Sequence, residues 1–238
     1  MIVSIHQPHF LPWMGYINKA LRSDVFVWLH SVQYRKNYYQ NRTKIKNVNG
    51  QPLWLTLPVH APFGVTIDRV TIAEARWKER IQKTVEQCYR KTPHFAECWP
   101  RIAQALAASS DSLNDADFRT FQAVLELLGS GAPKVESIGD LPASSQDPTL
   151  RLVEVCATLG ATHYIAGKGG ANYLRVEEFE KAGIEVLWQA FDPAAVVYPQ
   201  YGEGFLPGLS ILDCLCNAGP SRTRELVLNA WAPAGGKP

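Results

Sequence analysis

Residues 1–29 constrain the fold more than any other stretch of the chain. Residues 1–5 (Met-Ile-Val-Ser-Ile) are apolar and β-branched, the make-up of a buried strand. Gln7-Pro8 and Pro12 then mark a turn. A helix is predicted over 13–21, because proline is tolerated where a helix starts, and residues 25–29 (Val-Phe-Val-Trp-Leu) read as a second strand. A strand, a helix and a strand in so short a span suggest parallel pairing, with the helix as crossover. The alternation returns later as a helix over 148–159, a strand over 162–166, a helix over 171–182 and a strand over 184–189. Gly160 and Gly183 fall just past those two helices, where a terminating glycine is expected. The predicted class is α/β: a mostly parallel strand–helix–strand core of nucleotide-binding type, with a helical insertion.

That insertion occupies the middle of the chain. Residues 53–59 and 65–72 are predicted to be two more strands, joined by the Ala-Pro-Phe-Gly turn at 61–64. From 75 to 128 the pattern is helical, with Trp77, Ile81, Val85, Cys88 and Tyr89 at three- and four-residue spacing. Pro93 and Pro100 are expected to break the run, and residues 109–117 read as a loop with capping residues ahead of a helix over 118–128. Residues 129–148, rich in Gly, Pro, Ser and Asp, read as an internal linker, and residues 233–238 as a frayed tail. The expected organisation is 1–74 as an N-terminal α/β half with a basic loop, 75–130 as the helical insertion and 131–238 as a C-terminal α/β half, all within one structural domain.

Composition narrows the function. The 238 residues are 46% hydrophobic and 19% charged, which excludes general disorder and supplies ample core. A net charge of +2 argues against a protein that wraps nucleic acid by bulk charge. The first residues lack the basic and apolar regions of a signal peptide, and no stretch approaches the length of a membrane span, so a cytoplasmic protein is expected. Five cysteines, an odd number without a CxxC pair, read as reduced core residues, and no metal site is predicted.

Two segments stand out chemically. At the exit of the first strand, His6 and Gln7 leave just before a helix, where α/β proteins bind ligands. His6 can act as acid/base or phosphate donor and Gln7 can fix an amide or hydroxyl; the plain alternative is that both merely satisfy backbone groups around Pro8. The second segment, residues 25–67, contains no acid and five cations. Tyr34, Arg35, Lys36, Asn41, Arg42 and Lys44 lie in it, pairing guanidinium and ammonium groups with tyrosines that can stack on a base or sugar. An anionic ligand and an ordinary solvated loop fit this run equally well.

Two further segments carry weaker signals. Gly167, Lys168 and Gly169 follow a strand and permit close backbone approach to a phosphate or thioester, although the spacing is neither GxGxxG nor a Walker loop. Ser210 and Asp213 have helix-capping spacing and no nucleophile elbow around them. Cys214 is the least implausible thiol nucleophile.

Taken in order, several of these pieces resemble the WbqC-like protein family. They are Ile5-His6-Gln7-Pro8 through Pro12-Trp13-Met14-Gly15-Tyr16, Ser23-Asp24-Val25-Phe26, Val32-Gln33-Tyr34 through Asn41-Arg42 and Ile45, Leu55-Thr56-Leu57-Pro58-Val59, Tyr164 through Gly167, and Leu209-Ser210-Ile211-Leu212-Asp213 with Asn217 and Gly219. His30 departs from the pattern, standing where an aspartate is expected; a carboxylate role there either moves to Asp24 or is absent. The resemblance implies an enzyme of bacterial surface-polysaccharide or specialised-metabolite clusters that transfers an acyl or aminoacyl group onto an amine, such as that of an amino sugar. The implied donor is coenzyme A, a phosphopantetheine on an acyl- or peptidyl-carrier protein, or another anionic carrier. On this reading His6, Gln7, Asp24, Ser210 and Asp213 form the catalytic set. The alternatives are a non-catalytic binder of a phosphorylated ligand or carrier domain, and a divergent nucleotidylyltransferase. Those last enzymes hold triphosphate with two histidines around x-Gly, and both are absent from Trp13-Met14-Gly15-Tyr16.

Overall fold

A computed structural model describes residues 1–234 of the chain. Its first unit is the one the sequence dictates: β1 (Ile2–His6), α1 (Met14–Leu21) and β2 (Val25–Trp28), with the two strands parallel from Val3↔Val25 to His6↔Trp28. Then come β3 (Arg42–Lys46), β4 (Pro52–Thr56), β5 (Val59–His60) and β6 (Thr71–Ile72), followed by α2 (Trp77–Tyr89), α3 (Phe95–Ala108) and α4 (Leu113–Leu128). The chain re-enters the sheet with β7 (Lys134–Ser137), α5 (Pro148–Thr158), β8 (His163–Ala166), α6 (Val176–Lys181) and β9 (Glu185–Ala190). It finishes with α7 (Ile211–Ala218), α8 (Pro220–Asn229) and β10 (Ala232–Ala234).

The main sheet runs β10-β9-β8-β1-β2-β7; five strands are parallel and β10 is antiparallel at the edge. Taken by order in the chain, the parallel strands lie 3-2-1-4-5 from β7 to β9, so the winding reverses between β1 and β8. Both faces are covered. Phe26 and Trp28 of β2 face one core, shared with α1, the three middle helices, α7 and α8. Val3 and Ile5 of β1 and Val25 and Val27 of β2 face the other, with residues of α5 and α6. The period-two alternation within one apolar strand therefore feeds two cores, as a parallel sheet requires.

Local rules account for many boundaries. Asp147 caps α5 by accepting from the Thr149 and Leu150 amides, with Pro148 in the first turn. Gly160 and Gly183 both have φ near +70° just beyond their helices, the conformation a glycine terminator supplies.

Elsewhere the expectations need correction. The 53–59 and 65–72 strands do not form the main hairpin: β3 pairs with β4, and Asn47 turns the chain by accepting from the Asn49 and Gln51 amides. Part of the basic run is thus a strand, with Thr43, Ile45 and Lys46 buried and Arg42 and Lys44 partly exposed. The segment across 61–64 keeps only the two-residue pairing of β5 with β6. Pro100 lies inside α3 without ending it, and α4 starts at Leu113 because Ser112 caps it. Residues 129–148 contain β7, which pairs parallel with β2. The 171–182 helix is shorter, a 3-10 turn over 168–172 followed by α6. Of the predicted frayed tail, Pro233 and Ala234 belong to β10, and 235–238 lie outside the described residues.

Candidate functional site

The crevice at the winding reversal has a simple cause. β1 and β8 pair only at Ile2↔His163 and Val3↔Tyr164, whereas β1 stays with β2 as far as His6. Beyond Val3 the two strands separate, and their carboxyl ends open into a cavity of about 1190 Å³. His6, Gln7 and His9 line it from the β1 exit, Tyr16 and Lys19 from α1, and Gly167, Lys168, Gly169 and Tyr173 from the β8 exit. Gln189 and Asp192 line it at and beyond the end of β9. Ligand sites of doubly wound sheets lie in this position.

The acid-free segment closes the remaining side through Arg35, Tyr38, Tyr39 and Lys44. Gln40, fully buried, fastens it to the strand exit: its side-chain oxygen accepts from the Arg35 amide at 2.7 Å and its NH₂ donates to Gln7 Oε1 at 2.9 Å. The Phe10 amide donating to Tyr39 O at 3.0 Å makes a second tie. Among the described residues the lining has four cations, Lys19, Arg35, Lys44 and Lys168, against one carboxylate, Asp192. Such a pocket favours an anion.

His6 and His9 sit at the centre of an aromatic cluster. The His6 ring lies 4.9 Å from His9 and 4.6 Å from Tyr16, and His9 stacks between Tyr16 at 4.8 Å and Tyr39 at 5.5 Å. His6 Nδ1 lies 3.0 Å from Gln7 O. A carbonyl only accepts, so Nδ1 carries the proton and Nε2 keeps its lone pair. Burial, then the nearby Lys19 charge, lowers the His6 pKa to about 3, so the ring is neutral at pH 7. Burial and the neighbouring His6 likewise hold His9 well below the usual histidine range. Burial lowers Lys19 to about 7.

Asp117 of α4 raises the Tyr16 pKa further, after the larger effect of burial, and is itself fully buried, with neither carboxyl oxygen hydrogen-bonded. Desolvation pushes its pKa well above the carboxylate range. A carboxyl raised in this way binds its proton more tightly folded than unfolded, so its contribution to stability is lost as pH rises through the folded value. Asp117→Leu is expected to gain about 1–3 kcal/mol in denaturant unfolding at pH 8, since it removes an unpaired buried polar group. A lowered midpoint in the variant would show that Asp117 is paired in solution.

The predicted residues separate into groups. His6, Gln7, Arg35, Lys44, Gly167, Lys168 and Gly169 all line one cavity. Lys36 is exposed and outside the lining. Tyr34 packs against the core, Asn41 donates to Leu57 O at 2.8 Å, and the Arg42 guanidinium stacks 4.1 Å above Trp54 and bonds Asn37 O. Their side chains serve the loop and the hairpin. Asp24 lies at the amino end of β2, opposite the cavity, where it accepts from the Ile2 amide at 2.7 Å. His30 bonds Ser137 Oγ at 3.0 Å, also outside the lining.

Ser210 and Asp213 are not brought to the cavity either. Ser210 caps α7 and donates to Leu11 O at 2.7 Å, a carbonyl that Thr43 also holds, on a residue whose φ of 40° is unfavourable for leucine. Asp213 is sealed between two tyrosines. Cys214 is buried, and its pKa is pushed up to about 12, so it has no thiolate character near neutrality.

Residues 7–225 match the model of the WbqC-like protein family. The chain belongs to that family. A relative, the uncharacterized protein Rv1507c of Mycobacterium tuberculosis, is 30% identical over 220 residues, 91% of this chain and 94% of the relative. No solved structure matches. Among the described residues no helix is long and apolar enough to cross a membrane.

Within the family match, His9, Lys19, Gln40 and Gln189 line or support the cavity and were given no role by the sequence alone. Lys19 left no signal in the sequence: that it is buried with the rest of the eight-residue α1 is seen only in the folded chain.

Proposed function

We propose that the protein transfers an acyl or aminoacyl group from an anionic carrier to an amine acceptor, an amino sugar or other amino compound. The observation that carries this reading is the cation-rich cavity set beside a neutral His6. Arg35, Lys44 and Lys168 hold the phosphates of a coenzyme A or carrier-borne phosphopantetheine thioester. Gly167 and Gly169 let the donor approach the main chain closely, since a Cβ on either would meet nothing within 4 Å. His6 Nε2 takes a proton as the amine nitrogen attacks the carbonyl, and the proton then passes to the departing thiolate. The acyl carbon–sulfur bond breaks as the amide bond forms, giving an amide and a free thiol. The reading places the protein in the cytoplasm, in surface-polysaccharide or specialised-metabolite synthesis.

The test is a donor panel of acyl-coenzyme A, acyl-carrier and aminoacyl thioesters, with amino sugars and amino acids as acceptors, followed by mass spectrometry. A new amide is expected from at least one pair. The absence of product and of any mass shift across the panel would sink the reading.

The 3-2-1-4-5 strand order supports a second reading, capture or transfer of a nucleotide at the same crevice. The same panel separates the two when ATP and nucleotide sugars are included. A nucleotidylated product, or tight nucleotide binding without any amide, favours the second.

A further inference from the structure

His30 has no use in the chemistry above. It stands two residues beyond the end of β2, and Ser137 is the last residue of the neighbouring β7, in register with Trp28. Both therefore lie at the carboxyl ends of parallel strands, the end where α/β sheets carry their sites. His30 Nε2 is 3.0 Å from Ser137 Oγ, and His30 Nδ1 is 3.9 Å from Asp68 Oδ2. The backbone keeps Asp68 there: its amide donates to His30 O at 3.3 Å, and the Ile67 amide donates to Val32 O at 3.0 Å. None of the three residues lines the crevice between β1 and β8.

The hydrogen-bond inventory orders these groups. His30 Nδ1 is buried and has no hydrogen bond, and the Asp68 carboxylate is the acceptor facing it. A carboxylate only accepts, so it favours the proton on Nδ1; Nε2 then keeps its lone pair and accepts from the Ser137 hydroxyl. A movement of the part-exposed Asp68 side chain by about 1 Å completes the second bond, a tightening of the kind substrate binding brings. The Gly139 amide donates to the same Ser137 Oγ at 3.2 Å, where an N–H favours an alkoxide. Capping of the 3-10 turn Ile138–Asp140 accounts for that amide but not for the histidine. A Cβ on Gly139 would stand 3.5 Å from Ser137 Oγ and 3.7 Å from His30 Nε2, so the glycine keeps clear the space beside both reacting atoms.

We propose that Ser137, His30 and Asp68 form a second catalytic site, at which Ser137 attacks an activated ester or thioester. Ser137 is the nucleophile, His30 its base, and Asp68 the positioning residue that holds the imidazole tautomer. Oγ bonds to the acyl carbon as the bond from that carbon to the leaving oxygen or sulfur breaks, and the serine proton passes through His30 Nε2 to the leaving group. Water then gives a proton to Nε2 and attacks the acyl-serine; the acid departs, and the proton returns to Oγ. No residue of the crevice takes part, so the inference does not rest on the transfer reading.

The experiment treats the full chain with a fluorophosphonate ester and maps the product by peptide mass spectrometry, with p-nitrophenyl acetate as the turnover probe. Wild type is expected to take up one phosphonyl group on Ser137 with release of fluoride. His30→Ala is expected to slow labelling and p-nitrophenol release by at least about 10²-fold, the smaller end of what a general base supplies. Gly139→Ala, which fills the space beside Oγ, is expected to slow both several-fold. Asp68→Asn is expected to slow both and to move the His30 ¹⁵N signals away from the Nδ1-protonated tautomer, which a merely structural role would leave in place. A wild-type chain that takes up no phosphonyl group on Ser137 overturns the proposal, and that result depends on no variant. Labelling of Ser137 as fast in His30→Ala as in wild type overturns it too, since the serine then reacts without its base.

Discussion

His6→Ala lowers turnover by about 10²- to 10⁴-fold while donor affinity stays close to wild type, the result expected if His6 Nε2 accepts a proton in the transition state. The split follows from the geometry. The cavity-lining cations Arg35, Lys44 and Lys168 stand on other segments, and Gln40 fixes the basic loop through Gln7 rather than His6. The profile of kcat/KM against pH, which reports the free enzyme, adds a second readout. With the His6 pKa lowered to about 3, His6 contributes no inflection near 6.5, and Lys19, held at about 7 in the same cavity, is the group that titrates there. Stability carries the same signature. A histidine whose folded pKa lies below its unfolded value of 6.5 binds fewer protons when folded, so stability falls as pH drops from about 6.5 towards about 3. His6→Ala removes its share of that fall and leaves the share of His9, whose pKa is also held low. Loss of affinity and turnover together would assign His6 to binding and favour a protein that only captures its ligand.

The parallel core was legible from residues 1–29 because buried parallel strands are continuous apolar runs, and nothing but a strand fits Val25-Phe-Val-Trp28. β7 was hidden by the converse. An edge strand needs little hydrophobicity, and Lys134-Val-Glu-Ser137 pairs with β2 despite its polar composition. β3 was hidden by its cations, which occupy alternate positions, although one of them, Lys46, is buried along with Thr43 and Ile45.

The site divides along the same line. His6 and Gln7 were found because topology alone puts a strand exit in the crevice. Lys44 and Arg42, two residues apart on one strand, look equivalent in sequence, yet Lys44 lines the cavity and Arg42 bonds Asn37 O outside it. Lys19 and His9 escaped because burial of a polar side chain in a cavity wall is a property of the folded neighbourhood rather than of any motif. Charge counting erred in one respect. Of the five cations in the acid-free segment only two reach the cavity, and the lining completes its charge with Lys19 and Lys168 from elsewhere.

Asp213→Ala should cost about 3–5 kcal/mol in unfolding free energy, the range for removing one partner of a buried charged network. Tyr89 Oη donates to Asp213 Oδ2 and Tyr198 Oη donates to Oδ1, each at 2.8 Å. The Lys46 amide in turn donates to Tyr89 Oη at 3.0 Å. One carboxylate therefore ties α7 to α2, β3 and the segment after β9, and its loss leaves two phenols without an acceptor. Asp213→Asn keeps one acceptor oxygen and should cost less, about 1–3 kcal/mol. Burial raises the Asp213 pKa against the opposing hydrogen bonds of Tyr198 and Tyr89. An acid with a raised folded pKa binds its proton more tightly folded, so stability declines as pH rises from 3.8 through the folded value, and Asp213→Asn removes the Asp213 share of that slope while the Asp117 share remains. Urea unfolding between pH 4 and 8 measures both effects. If Asp213→Asn proves as stable as wild type and still removes turnover, the carboxylate acts on the substrate, and the tyrosine pair must open to let it through. Unaltered turnover in the folded fraction instead fixes Asp213 as the clasp that holds the basic hairpin, and with it Lys44, against the body of the protein.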